Sequence, residues 1–210
     1  MSTDMPARPP GPMRADARRN RDLLLSAALT AFTEHGADDV SLEEIARRAG
    51  VGIGTLYRHF PTRQTLLESV YRDQVEALCA LAADLLDAPS PGDALGAWLR
   101  GMIAFSTTKR SLVTSMLATM DTASELFSAC STEIRRAVES LLARAQDAGE
   151  IRRDIDAADV MRLSHAITVA TERAPQNPEQ AERLLGLMLD GLRAGTQRAS
   201  RPANQPAGHA

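Results

Sequence analysis

Residues Val40–Phe60 read VSLEEIARRAGVGIGTLYRHF. Ser41 stands where a helix needs an N-cap, and Glu44 three residues later completes an S-x-x-E capping box. Leu42, Ile45, Ala46 and Ala49 recur at helical spacing and define a buried face, with Arg47 and Arg48 on the other side. Gly50 falls where a helix ends on a left-handed residue, and Val51 is the apolar plug of the turn. The next helix must be short, because Pro61 follows Phe60 directly. Leu56 and Phe60, four apart, form its inward face. Two short helices across a glycine turn make a helix-turn-helix, a device that lays its second helix in the DNA major groove.

The outward face of that second helix carries Thr55, Tyr57, Arg58 and His59, groups able to hydrogen-bond or ion-pair with phosphate oxygens. The helix N-terminus adds backbone N–H groups and a dipole that favours anions. Gly52 and Gly54 carry no side chain to hold the backbone away from a groove. Singly, these glycines also read as turn punctuation, and Tyr57 and His59 as surface residues. The capped helix, the glycine turn and the second helix together are the specific signal.

Leu24, Leu25, Ala28, Phe32 and Gly36 precede this segment, and Pro61, Arg63 and Leu66 follow it. With Ser41, Ile45, Ala46, Ala49, Gly50, Val51, Thr55, Leu56, Tyr57 and Phe60 they make a pattern that resembles the DNA-binding domain of the tetracycline-repressor (TetR) family, over roughly Arg18–Tyr71. The resemblance implies an all-α homodimeric repressor, released from double-stranded operator DNA by a small-molecule effector. It implies phosphate contacts for Thr55, Tyr57, His59 and Arg63, the last an arginine where the family commonly has lysine. Ser41 belongs to the same DNA-binding set. The departure lies at Gly52–Gly54, where Ile53 is the only long side chain and suits a thymine methyl. Hydrogen-bonded base readout is therefore expected to draw on Arg47 or Arg48.

Of the 210 residues, 44% are hydrophobic and only 3% aromatic, with Ala and Leu dominant, which favours a buried helical core over sheet. The formal net charge of -3 argues against non-specific nucleic-acid binding. Through Arg21, however, five Arg face two Asp, a local charge of +3 by subtraction. A basic arm beside a helix-turn-helix suits phosphate or minor-groove contact, and it equally suits a solvated tail. Cys79 and Cys130 lie far apart with no CxxC partner or nearby His, so no metal site is expected. The N-terminus lacks the apolar run of a signal peptide, and no stretch reaches membrane-spanning length, so a cytoplasmic protein without a membrane contact is expected.

The expected organisation is all-α. Residues 1–17 are a disordered basic arm, 18–62 the DNA-binding domain, 63–195 a helical ligand-binding and dimerisation domain, and 196–210 a disordered tail. The first helix is expected over Arg18–His35, and a long fourth helix is capped by Thr62. After the break at Ala88–Gly92, separate helices are expected over Asp93–Thr108 and Ser111–Met120. Further helices follow over Ser124–Ala148, Asp156–Glu172 and Glu179–Ala194.

The last helix is apolar on more than one face, which points to partners on several sides. Homodimerisation through the last two helices is expected, with Leu185 and Leu189 at the seam; completion of a monomer core is the other reading. Trp98, Met102, Phe105, Met116, Met120 and Phe127 come from separate expected helices and form a candidate ligand chamber for an apolar or amphipathic molecule, or else ordinary core. His165 would give that chamber a polar group. No catalytic residues and no cofactor are expected: GxSxG, Walker, HExxH and GxGxxG patterns are absent, and no strand precedes Gly50–Gly54. A helical enzyme, or a ligand sensor acting only through protein partners, are the alternatives. Tyr57, His59 and Arg63 argue against the second.

Overall fold

Ala, Leu, Glu and Arg dominate the stretches between glycine and proline, and those stretches are helical. The computed structural model describes residues 12–119, 123–172 and 178–193, which contain eight α-helices. These are α1 (Pro12–His35), α2 (Leu42–Ala49), α3 (Ile53–His59), α4 (Arg63–Leu85), α5 (Pro91–Thr119), α6 (Ala123–Asp147), α7 (Ala157–Glu172) and α8 (Pro178–Leu192). The all-α expectation holds. The basic arm upstream of Pro12 and the tail at 196–210 lie outside the described residues.

Two elements differ from the sequence reading. α1 begins at Pro12 rather than Arg18, so residues 12–17 of the expected disordered arm are helical. Proline suits a first helical position, where its missing N–H would have no partner anyway. α5 is one helix of 29 residues rather than two. The polar run Thr107–Ser111 reads like a break, yet it holds no glycine or proline to interrupt the backbone ladder.

The chain gathers into two compact units. The first holds the described residues up to Ala77 together with those of Phe105–Thr132; the second holds Leu78–Ala104 and the described residues from Glu133 onward. The units are not consecutive in sequence, because α4, α5 and α6 each contribute to both.

In the first unit α1 buries Leu24, Leu25, Ala28, Ala31 and Phe32. Ile45 and Ala46 of α2, Leu56 of α3, Phe60 after it, and Leu66, Leu67, Val70 and Tyr71 of α4 are buried as well. Full burial of one such large side chain stabilises by roughly 1.5–3 kcal/mol. In the second unit Trp98 is fully buried and its Nε1–H donates to the Leu78 carbonyl at 3.0 Å. The Glu150 carboxylate caps α5, accepting from Gly92 N–H at 2.7 Å and Ser90 Oγ at 3.2 Å. A carboxylate at a helix N-terminus is favoured by the dipole. Ile151 pairs with Arg193 in an isolated antiparallel bridge, with Arg152 N–H donating to Leu192 O at 2.9 Å, which ties the end of α8 to the α6–α7 connection.

The caps read from sequence are present. Ser41 Oγ accepts Glu44 N–H at 3.1 Å. Thr62 and Thr65 exchange bonds at the start of α4, with Thr65 N–H to Thr62 Oγ1 at 3.1 Å and Thr62 N–H to Thr65 Oγ1 at 3.2 Å. Gly50 is left-handed at φ 65°, and Val51 N–H bonds Ala46 O at 3.0 Å while Gly50 N–H bonds Arg47 O at 3.2 Å. Those two bonds are a Schellman termination. A Cβ on Gly50 would meet nothing within 4 Å, so a substitution there is felt through the backbone alone. Gly50→Ala should therefore cost about 1–2 kcal/mol of stability, from the left-handed penalty. Urea denaturation of the two proteins measures it.

Candidate nucleic-acid interface

α3 is seven residues long and turns Leu56 inward. Helical spacing then puts Ile53 and Tyr57 together on the outside, and Gly54 and Arg58 beside them. All four are exposed, as is Gly52 before the helix. Tyr57 is 44% exposed. Thr55 and His59 are half-buried at the edges of this face, with the His59 ring 6.1 Å from that of Phe60. Six large apolar side chains are exposed among the described residues, and they fall into two groups. Leu23, Ile53 and Tyr57 belong to α1 and α3; Leu163, Val169 and Leu187 belong to α7 and α8.

The sequence around α3 carries a further signal. From Ile45 to Leu67 there is no Asp or Glu, while Arg47, Arg48, Arg58 and Arg63 all occur. The structure shows that these arginines have different duties. Glu44 turns its carboxylate away from the capping box and onto two of them: Arg47 Nη2 donates to it at 2.7 Å and Arg48 Nε at 2.8 Å. Arg48 Nη1 also reaches Glu34 of α1 at 2.6 Å, and its Nη2 lies 3.0 Å from His35 Nε2. The hydrogen bond from Arg48, and then that from Arg47, holds the Glu44 carboxyl below the ordinary carboxylate range. Arg48 depresses Glu34 in the same way and is itself raised by Glu44 and then Glu34. Base readout through Arg47 or Arg48 would have to break these bonds.

Arg63 has a second duty inside the chain. The resemblance gave it a phosphate contact. In the structure it is half-buried, and its guanidinium donates to Val40 O at 2.6 Å and to Ala37 O. Its Cζ sits 5.8 Å from the centroid of the Phe32 ring. The first residue of α4 thus clasps the turn between α1 and α2, because the side chain has two backbone carbonyls and an aromatic face within reach. Ser41, also in the expected interface, spends its Oγ on the Glu44 cap.

The candidate chamber divides. Trp98 and Met102 lie in the second unit, and Trp98 is bonded core. Phe105, Met116 and Phe127 lie in the first. Met120 is outside the described residues. Tyr71, absent from the sequence-derived set, joins two of the first unit's members: its ring is 5.2 Å from Phe127, edge to face, and 6.0 Å from Phe105. Burial, with a smaller contribution from Cys130, pushes the Tyr71 phenol up to about 12, so it stays a neutral donor inside an aromatic cluster. Its position four residues after Leu67, in an apolar series, was the available signal. α7 buries Val160, Ser164, Ile167 and Thr168, and that rotation leaves His165 exposed in the single chain. Leu185 is 1% exposed inside its own chain, whereas Leu187 is 64% exposed. No group of three or more His, Cys, Asp or Glu among the described residues is placed to hold a metal ion, and no helix there is long and apolar enough to cross a membrane.

The profile of bacterial regulatory proteins of the tetR family matches residues 24–70, and that of the SbtR-like transcriptional regulator C-terminal domain matches residues 90–194. The chain belongs to the TetR family. TetR-family proteins are DNA-binding regulators, and the comparison extends to solved structures. A TetR transcriptional regulator from Streptomyces coelicolor is 42% identical, with a TM-score of 0.73 over 82% of this chain and 98% of that one. A TetR regulatory protein from Mycobacterium vanbaalenii is 36% identical, with a TM-score of 0.72 over 87% and 99%. An HTH-type transcriptional regulator from Staphylococcus aureus is 43% identical over 54 residues, a match spanning 26% of this chain and 29% of the relative's length. That match is thus much shorter than either protein, whereas the structural likenesses run through nearly all of each relative.

The Arg63 clasp is directly testable. Arg63→Ala strips two carbonyls of a charged donor and should destabilise the chain by about 2 kcal/mol. Arg63→Lys, a point charge without the planar fork, should recover only part of that. Thermal denaturation of the three proteins measures the order.

Proposed function

We propose that this TetR-family chain is a homodimeric transcriptional repressor that binds a roughly palindromic operator and is released by a small apolar or amphipathic molecule. The observation that carries the reading is the outward face of α3, where Ile53, Tyr57 and Arg58 stand exposed with no acidic residue in the helix. In this reading α3 enters the major groove. Tyr57, Thr55, His59 and Arg58 take phosphates, and Ile53 meets a thymine methyl between the bare backbones of Gly52 and Gly54. Arg63 acts by holding the turn before α2. Such a protein works on chromosomal DNA, hence in the cytoplasm.

The dimer face is the second exposed apolar group, Leu163 and Val169 of α7 with Leu187 of α8. α7 and α8 pack on each other, and a Cβ added at Gly186 or Gly191 would meet open space within the chain. A two-fold dimer of this kind reads a palindromic operator, one half-site for each copy's α3. The effector reading is supported by the aromatic cluster of Tyr71, Phe105 and Phe127, with Met116 buried in the same unit. An effector shifts the equilibrium only by its difference in affinity for the bound and released conformations.

Fluorescence anisotropy with a duplex from the DNA upstream of the protein's own coding sequence tests the central claim. Wild type should bind with an affinity that falls steeply as salt rises. Tyr57→Ala should weaken binding about tenfold on this and on unrelated duplexes alike, since a phosphate contact positions without specifying. Equal affinity of wild type and Tyr57→Ala rejects the α3 assignment.

The dimer has its own test in Leu187→Glu. That side chain is exposed in one chain, so the fold should persist. At a seam the buried charge should weaken association roughly 100-fold or more. Sedimentation should then find a folded monomer; an unchanged dimer places the interface elsewhere.

A further inference from the structure

The turn between α1 and α2 is held from two directions. From one side Arg63 takes the carbonyls of Ala37 and Val40. From the other, Ser115 Oγ donates to Asp38 Oδ1 at 2.6 Å. Ser115 sits on α5, 77 residues away in sequence, and is only 3% exposed. Ser164 and Thr168, also buried, donate their hydroxyls to their own helix, to Val160 O and Ser164 O. That is the routine use of a helical hydroxyl. Ser115 instead reaches out of its helix to a carboxylate on the turn that launches α2.

We propose that Asp38 and Ser115 are positioning residues: their bond is the contact by which α5 sets the helix-turn-helix. The inference rests on the DNA-binding reading above. Three features support it. The turn is short, opening on Gly36 at φ 89° and closing on Ser41, whose Oγ holds the first turn of α2. A displaced Asp38 therefore displaces the cap three residues on. Ser115 is flanked by Leu112 and Met116, both fully buried, and shares its unit with the Tyr71, Phe105 and Phe127 rings. Repacking of that cluster moves the segment of α5 that carries the hydroxyl. Finally, a hydroxyl–carboxylate bond is short and directional, and a shift of about 1 Å breaks it. The contact thus converts a small movement of α5 into loss of one anchor of the turn, while the Arg63 anchor keeps the head folded.

The test is a double-mutant cycle on wild type, Ser115→Ala, Asp38→Asn and the double variant. Affinity for the duplex upstream of the protein's own coding sequence is read by anisotropy. Amide exchange of peptides covering residues 42–60 is read by mass spectrometry without DNA. Each single change should weaken binding about three- to tenfold, and the double should be no weaker than the weaker single. The cycle cancels the charge lost in Asp38→Asn. The dependence of affinity on salt should keep its slope in Ser115→Ala, since no phosphate contact is removed. Exchange over 42–60 should quicken in all three variants. Additive affinities together with wild-type exchange overturn the proposal. If wild type binds no duplex, the DNA-binding reading falls, and exchange alone decides: faster exchange in Ser115→Ala upholds the mechanical contact, and unchanged exchange rejects it.

Discussion

A helix of seven residues does not hold its shape alone in water, where isolated helices need about 12–15 residues even to be marginal. α3 persists because Leu56 and Phe60 are buried, and because the Arg21 guanidinium stands 5.9 Å from the centroid of the Phe60 ring. α3 is thus carried by α1 and α2, against which it packs. The division of labour follows. Two inward residues and a Schellman turn specify where α3 lies, which leaves Ile53, Gly54, Tyr57 and Arg58 without a structural duty. Their chemistry is free to be set by what they meet outside the chain.

The arginines around α3 show how far a charge count misleads. Four of them occur where no acid does, and the segment reads as strongly basic. Yet Arg48 bridges Glu44 to Glu34 and so fastens α2 to α1, while Arg47 shares Glu44. Arg63 donates to the backbone carbonyls of Val40 and Ala37. Each still contributes to the long-range field, which depends on charge and not on hydrogen bonding. The short-range contacts belong to whichever donors keep their geometry open.

Local signals carried most of the fold. The N-caps at Ser41 and Thr62, the left-handed Gly50 and the inward pair Leu56 and Phe60 are written in residues at most four apart, and each is present as read. Helix continuity through Thr107–Ser111 was obscured because polar residues suggest a loop, although only glycine or proline would have forced one. The sites were less legible wherever the deciding contact is remote in sequence. Nothing near Arg63 reveals the carbonyls of Ala37 and Val40, and nothing near Ser115 reveals Asp38. Rotation about a helix axis was also hidden. Leu185 and Leu187 are equally apolar in the sequence, but only one is buried in the chain, and His165 shows that a mostly apolar helix still has an outside.

The burial of Trp98 has an optical consequence. It is the only tryptophan of the 210 residues, and it lies in the second unit with its indole N–H on Leu78 O. Both tyrosines, Tyr57 and Tyr71, lie in the first. The two chromophores are therefore segregated by unit. Indole emission excited on the red edge, beyond phenol absorption, reports the second unit, whereas derivative absorbance in the phenol band weights the first. Unfolding followed at the two wavelengths would coincide if the units melt as one body and part if they melt in turn.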